Sequence, residues 1–202
     1  MSAHDFRLIL LRHGETEWSA SRQHTGRTDI PLTPAGEEQA LAAGKLLAGL
    51  NLHDPLVFSS PRQRATRTAE LAGLTGVHID NDLAEWDYGE YEGLTTLEIQ
   101  RMAPDWTIWT GVTPEGEDAG QVRTRADRVL ASVLPELANR DVVLVGHGHF
   151  SRVLIARWAE FDVIEGRRFF LSTAAITVLG YDYHARTVLA HNLTAQLEGP
   201  QR

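Results

Sequence analysis

The sequence predicts an α/β fold, a three-layer α/β/α sandwich built on a mostly parallel central sheet. Two observations lead there. The runs Phe6 to Leu11 and Asp141 to Val145 are short and nearly continuous in apolar residues, as strands buried on both faces are. Between such runs lie stretches with helical spacing, so strands and helices alternate along the chain.

After the first strand, Thr33-Pro34 predicts a helix start, with Thr33 as cap and Pro34 at the first helical position. Ala40, Ala43, Leu47 and Leu50 then recur at helical spacing. Leu56 to Phe58 is a second strand, and Ser59-Ser60-Pro61 predicts another helix by the same cap-then-proline logic. Val77 to Ile79 is a third short strand. From Leu83 to about Pro114 the pattern is irregular, with a short helix near Thr95 to Met102, and the region of about 83–120 reads as a cap-like segment. A long helix is expected over Gln121 to Asn139, followed by the strand Asp141 to Val145 and a helix from about Phe150 to Glu160. Ala175 to Tyr181 and Thr187 to Ala190 read as two strands joined by a turn at Asp182 to Arg186. No repeat, low-complexity tract or linker divides residues 1–202, which read as one domain.

Apolar content of 43% and charged content of 23% are ordinary for a globular protein. With no cysteine, disulfides, thiolate metal sites and a cysteine nucleophile are excluded. Met1 to Asp5 carry no basic patch, and the apolar run Leu8 to Leu11 falls short of a secretory core or of the ~20 residues of a membrane span. A cytoplasmic protein is the expectation. A net charge of −8 disfavours nucleic acid and anionic lipid as partners, and any anion site must gather its own positive charge. The C-terminal strand pair offers an edge for a homodimer.

In a parallel sheet, ligands bind beyond the carboxyl ends of the strands. Arg12-His13-Gly14, Ser59-Ser60-Pro61-Arg62-Gln63-Arg64 and Gly146-His147-Gly148-His149 all follow strands. Three strand ends thus bring two strand-end histidines and three arginines to one rim. A neutral imidazole, with a reference pKa of ~6.5, attacks phosphorus near neutral pH without a separate base. An arginine fork makes paired charge-assisted bonds to phosphate oxygens, each worth about 1.5–3 kcal/mol when desolvated. Arg64 in the first turn of a helix would add that helix's positive end to an anion site. Arg-His-Gly alone is as readily a chance tripeptide; a second histidine between glycines after another strand makes coincidence a poor account.

The order of motifs resembles the histidine phosphatase superfamily, the phosphoglycerate-mutase-like family. They are Leu11-Arg12-His13-Gly14-Glu15-Thr16-Glu17-Trp18, Thr25-Gly26, Asp29 to Gly36, Ser59 to Ala69, Leu83 to Gly93 and Val145-Gly146-His147-Gly148. The resemblance implies that His13 is phosphorylated during turnover, that Arg12, Arg64 and His147 form the phosphate pocket, and that Glu85 donates the proton. Without it, Glu85 would be one of 27 acidic residues. Arg62 is the second-ranked pocket arginine, and Ser19, His24, Thr25, Gly26 and Gly148 are candidate substrate contacts. Ser19 departs from the asparagine common in the family, and His24 stands where an aromatic residue is common.

Phosphoglycerate mutases of the family use an arginine pair and a lysine to hold the substrate carboxylate. Here Gly93 to Ile99 has no lysine, and the chain from there to Pro114 has no arginine pair. The resemblance is therefore to the broad-specificity acid phosphatase branch: a metal-independent, cofactor-free phosphoric monoester hydrolase acting on a small phosphorylated substrate. Pro114 to Asp118 is similar to that branch's Gly-Glu-Ser segment, with Asp118 in place of serine. Mutase-type transfer is the alternative. A metal hydrolase using His147 and His149 lacks an acidic cluster, and a silent binding module conflicts with the retained catalytic set. Trp86, Trp106 and Trp109 either wall the substrate or pack the cap segment.

Overall fold

The structure, a computed structural model, describes residues 6–195. Met1 to Asp5, whose lack of a basic patch entered the sequence reading, lie outside the described residues. Among those described, no helix is long and apolar enough to cross a membrane.

Strand β1 (Leu8–Arg12) leads through a short helix α1 (Glu17–Ala20) to α2 (Pro34–Gly49), β2 (Leu56–Ser59) and α3 (Gln63–Leu71). Then come β3 (His78–Ile79), α4 (Thr96–Met102), α5 (Ala119–Val133), β4 (Val142–Gly146), α6 (Gly148–Trp158), β5 (Ile176–Asp182) and β6 (Ala185–Leu193). One six-stranded sheet has the order β3-β2-β4-β1-β5-β6. The first four of these neighbours run parallel, β5 is antiparallel to β1, and β6 to β5. Alternation along the strands sends Leu8, Leu10, Val142 and Leu144 into one core, covered by α5 and α6. Ile9, Leu11, Val143 and Val145 enter the other, covered by α2 and α3. Both faces are thus buried, and the three-layer α/β sandwich predicted from the sequence is present.

The entry to the sheet is pinned by Asp141, which the sequence placed inside a strand. Its carboxylate, 1% exposed, accepts from the Arg7 amide (2.7 Å), the Arg7 guanidinium (2.8 Å) and the His53 amide (2.8 Å). Burial raises its pKa, but these bonds outweigh it and hold the carboxyl below the usual carboxylate value.

Helix α2 begins as expected, Thr33 Oγ1 accepting from the Gly36 amide at 3.0 Å with Pro34 at the first position. Helix α3 does not. It starts at Gln63 with Arg62 at the cap position, so Ser60, two residues earlier, is not the cap; its hydroxyl meets His147 Nε2 at 2.7 Å and the Arg62 amide at 3.3 Å. Arg62 gives no side-chain cap; Asp29, from a distant loop, accepts from the Gln63 amide at 2.8 Å instead. Helix α5 stops at Val133 rather than near Asn139, two residues before Pro135, which has no amide to continue the hydrogen-bond ladder. Asp118 caps α5 through a reciprocal pair with Gln121, which accounts for an acid where serine is common.

The loop after β1 is pressed onto the start of α2. A Cβ at Gly14 would lie 2.2 Å from the Gly36 carbonyl oxygen, and one at Gly36 would lie 2.1 Å from that of Glu15. Gly14 therefore serves backbone packing. Gly36→Ala is expected to destabilise the protein by about 2 kcal/mol or more. Gly49→Ala, where a Cβ meets nothing within 4 Å, should be neutral or stabilise by up to about 1 kcal/mol. Urea unfolding of both variants checks this, and equal midpoints would contradict it.

Candidate active site

The site follows from strand register. Arg12 pairs with Gly146 across β1 and β4, and Ser59 with Val145 across β2 and β4. The residues that follow, His13, His147 and Ser60, therefore emerge side by side. The His13 amide donates to the Gly146 carbonyl at 2.9 Å, and the two imidazole rings meet edge-on with centroids 5.2 Å apart. A cavity of about 660 Å³ opens at this rim, lined by Arg12, His13, Ser19, His24, Thr25, Glu85 and Gly148. Arg64 and His147, both without solvent exposure, are packed behind that lining, and Arg62 and Gly26 also lie outside it.

His13 is set up as a nucleophile. Its Nδ1–H donates to the Gly14 carbonyl at 2.7 Å, an oxygen that only accepts, so the lone pair is on Nε2. Burial, and then the charges of Arg64 and Arg12, push its pKa well below 6.5, outweighing the Gly14 bond. The ring is neutral at neutral pH.

Arg64 sits in a cage of acceptors. Its Nε donates to His147 Nδ1 at 3.2 Å, Nη1 to the Thr28 carbonyl at 2.8 Å, and Nη2 to the Thr25 and Gly26 carbonyls at 3.1 and 3.2 Å. Because Arg64 fills Nδ1, His147 carries its proton on Nε2 and donates it to Ser60 Oγ. Burial and the flanking arginines push the His147 pKa well down. Free donors come instead from Arg12 and Arg62, whose Nε groups are buried without a hydrogen-bond partner. Arg12 Nη1 donates to the Leu171 carbonyl at 2.5 Å, and Gly148 makes room for it, since a Cβ there would lie 3.3 Å from the guanidinium carbon.

Glu85, 8% exposed, accepts three backbone bonds: from Trp86 (2.8 Å) and Phe150 (2.8 Å) on Oε1, and from His149 (2.9 Å) on Oε2. Three of the roughly four lone-pair positions of a carboxylate are then filled, and the open one is on Oε2. The start of α3, expected to add its positive end to the anion site, is committed to Asp29, and the start of α6 to Glu85.

Other sequence candidates are placed differently from expectation. Ser19 Oγ accepts from the Thr16 amide (2.9 Å) and donates to the Thr16 carbonyl (3.0 Å), so it closes α1 rather than offering a free donor. The Gly26 amide donates to the Glu92 carboxylate at 2.9 Å. Thr25 Oγ1 bonds to the Gln23 carbonyl at 3.3 Å. His24 lines the cavity against Tyr88, ring centroids 4.6 Å apart, and burial lowers its pKa to about 4. Trp86 and Trp106 are buried, their indole N–H groups bound to the Glu117 and Val112 carbonyls, and no tryptophan lines the cavity. His147 and His149 face different partners, the latter bonding Tyr88 Oη at 2.6 Å. Among the described residues no cluster of three or more His, Cys, Asp or Glu is placed to hold a metal ion.

Sequence reasoning missed Ser60 as a partner of His147, Arg125 and Arg152. Arg125 on α5 binds the carbonyls of Asp82, Ala84 and Glu85 and pairs with Glu117 at 2.6 Å, so it holds the segment that carries Glu85. Arg152 lines the cavity; its spacing four residues past Gly148 on a helix was the available signal.

The model of the histidine phosphatase superfamily (branch 1) matches residues 8–194. The chain belongs to that superfamily and is a phosphatase, a phosphoric monoester hydrolase. Among its relatives, an acid phosphatase of Mycobacterium tuberculosis is 48% identical over 96% of both chains. A sedoheptulose 1,7-bisphosphatase of Saccharomyces cerevisiae is 35% identical over 75% of this chain and 67% of its own. The solved structure of a Mycobacterium tuberculosis open reading frame, 48% identical, superposes with a TM-score of 0.93, covering 95% of this chain and 100% of that one.

Buried neutral histidines leave a mark on acid stability. Unfolded, His24 titrates near 6.5 and folded at about 4; between these values the unfolded chain holds more protons, so stability falls as pH drops through the window. His13, His147 and His149, also lowered by burial, act in the same direction. Each contributes a slope of up to about 1.4 kcal/mol per pH unit. His24→Phe should flatten the loss between pH 6.5 and 4 by that amount, measured by urea unfolding at several pH values; an unchanged slope would contradict it.

Proposed function

We propose that this phosphatase hydrolyses small phosphate monoesters through a phosphohistidine on His13, with Glu85 as proton donor and then base. The observation that carries this reading is the fixed tautomer of His13, whose Nε2 lone pair belongs to a neutral ring in the arginine-rich lining. Nε2 attacks phosphorus, the ester P–O bond breaks, and the leaving oxygen takes a proton from Glu85 Oε2. Water then attacks the phosphorus and gives a proton to Glu85, the N–P bond breaks, and phosphate departs with His13 neutral again. Arg12, in the lining, supplies an open donor to the phosphoryl oxygens, and Arg62, outside the lining, adds positive charge behind it. Arg64 and His147 supply buried charge and position, and reach the oxygens once bound phosphate displaces their present partners. Ser19, His24, Thr25, Gly26 and Gly148 shape the space for the alcohol part. The chain works as one domain, with the segment of about 83–120 as its cap, and uses no metal.

His13→Ala should lower kcat on an aryl phosphate by 10³-fold or more while the protein still unfolds in one cooperative denaturant transition. A folded variant with near-normal turnover would refute the mechanism. Activity should survive chelator, whereas loss restored by added metal would favour a metal hydrolase. For pH, kcat/KM reports the free enzyme, and a His13 pKa well below 6.5 keeps the nucleophile unprotonated as pH falls through 6.5. An acid limb near pH 6.5 assigned to His13 would contradict this.

A further inference from the structure

The stretch after Gly93 lacks the basic residues that would hold a second acidic group, yet the folded cavity carries such a residue from elsewhere. Arg152 on α6 lines it. Its guanidinium is locked: Nε donates to the Gly166 carbonyl at 3.0 Å, Nη2 to the Arg167 carbonyl at 2.8 Å, and its carbon lies 4.8 Å from the centre of the Trp109 ring. Among the described residues Nη1 makes no hydrogen bond, and no carboxylate lies within ion-pair distance. Burial and then the nearby charge of Arg12 lower its pKa to about 10, against a smaller raising by Tyr88 and Glu85. A cation fixed in place, partly buried and with no carboxylate in ion-pair range is a binding group for an anion.

That anion differs from the reacting phosphate. Gly148 abuts Arg12, and the Arg152 backbone lies one helical turn, about 6 Å, further along α6. Arg152 is tied to the segment 166–167 and to Trp109, whereas Arg12 is tied to Leu171. The acids of the outer lining, Glu15 and Glu38, come from the other side of the sheet, Glu38 on α2. They repel an acid there and favour the α6 side, and Arg22, which also lines the cavity, already has a partner. The volume of about 660 Å³ suits a skeleton of sugar-phosphate size.

We propose that Arg152 receives a second acidic group of the substrate, phosphate or carboxylate. The preferred substrates are then phosphate monoesters with an anion at the far end of a small skeleton. This rests on the His13 reading above.

The test measures kcat/KM of the wild type, Arg152→Met and Arg152→Lys on three substrates: fructose 6-phosphate, fructose 1,6-bisphosphate and 3-phosphoglycerate. Wild type should prefer at least one two-anion substrate over the monophosphate by tenfold or more. That ratio should fall at least tenfold in Arg152→Met, mainly through KM, and less in Arg152→Lys, which keeps charge without the fork. The substrate whose ratio falls tells phosphate from carboxylate. Equal loss on all three, or no loss, overturns the proposal. If Arg152→Met fails to fold, the wild-type preference decides alone, and its absence overturns the proposal. Turnover by folded His13→Ala would refute the mechanism instead and leave the Arg152 ratios readable.

Discussion

The site depends on one constraint, the parallel register that sets Arg12 opposite Gly146. With a side-chain period of two, a slip of one residue would exchange the two cores of β1 and turn His13 to the opposite face. The register is held at both ends. Asp141 binds Arg7 and His53 where the strands enter, and the His13 amide binds the Gly146 carbonyl where they leave. Between them every β1 residue from Leu8 to Leu11 is buried. A one-residue slip would put Ile9 and Leu11 against α6 and break both anchors.

Given that register, charge decides the rest. Arg64 is fully buried with acceptors but, among the described residues, no carboxylate in ion-pair range. It sets the His147 tautomer and, through the carbonyls of Thr25, Gly26 and Thr28, fixes the loop beside the cavity. Glu92 holds the same loop from the other side by its amides. Glu85 is the acid that faces this cluster, and it raises the pKa values of Arg12 and Arg64 against the lowering by burial. An excess of guanidinium over carboxylate at the rim of a chain of net charge −8 is what a phosphoryl group needs, and it keeps His13 neutral as well.

Much of this was legible in the sequence. Apolar runs identified β1 and β4, and Thr33-Pro34 marked α2, because those signals are local. The convergence of His13, Arg64 and His147 followed from strand ends in a parallel sheet. What escaped depended on partners far along the chain. Ser60-Pro61 carried a helix-start signature, but the Ser60 hydroxyl is taken by His147, 87 residues away, and α3 is capped by Asp29. Ser19 looked like a ligand, yet Thr16, three residues back, occupies it. The missing basic residues after Gly93 were read as a missing second anion site, whereas the cavity draws Arg152 from α6, a helix whose start was predicted two residues late.

The central claim is that phosphate passes through Nε2 of His13. Rapid acid-free quenching of the enzyme during turnover of a ³²P-labelled monoester, followed by peptide mapping, tests it most directly. The account predicts label on the peptide containing His13, stable to alkali, labile to acid, and absent from His13→Ala. Full turnover with no labelled protein, or label on another residue, would contradict it.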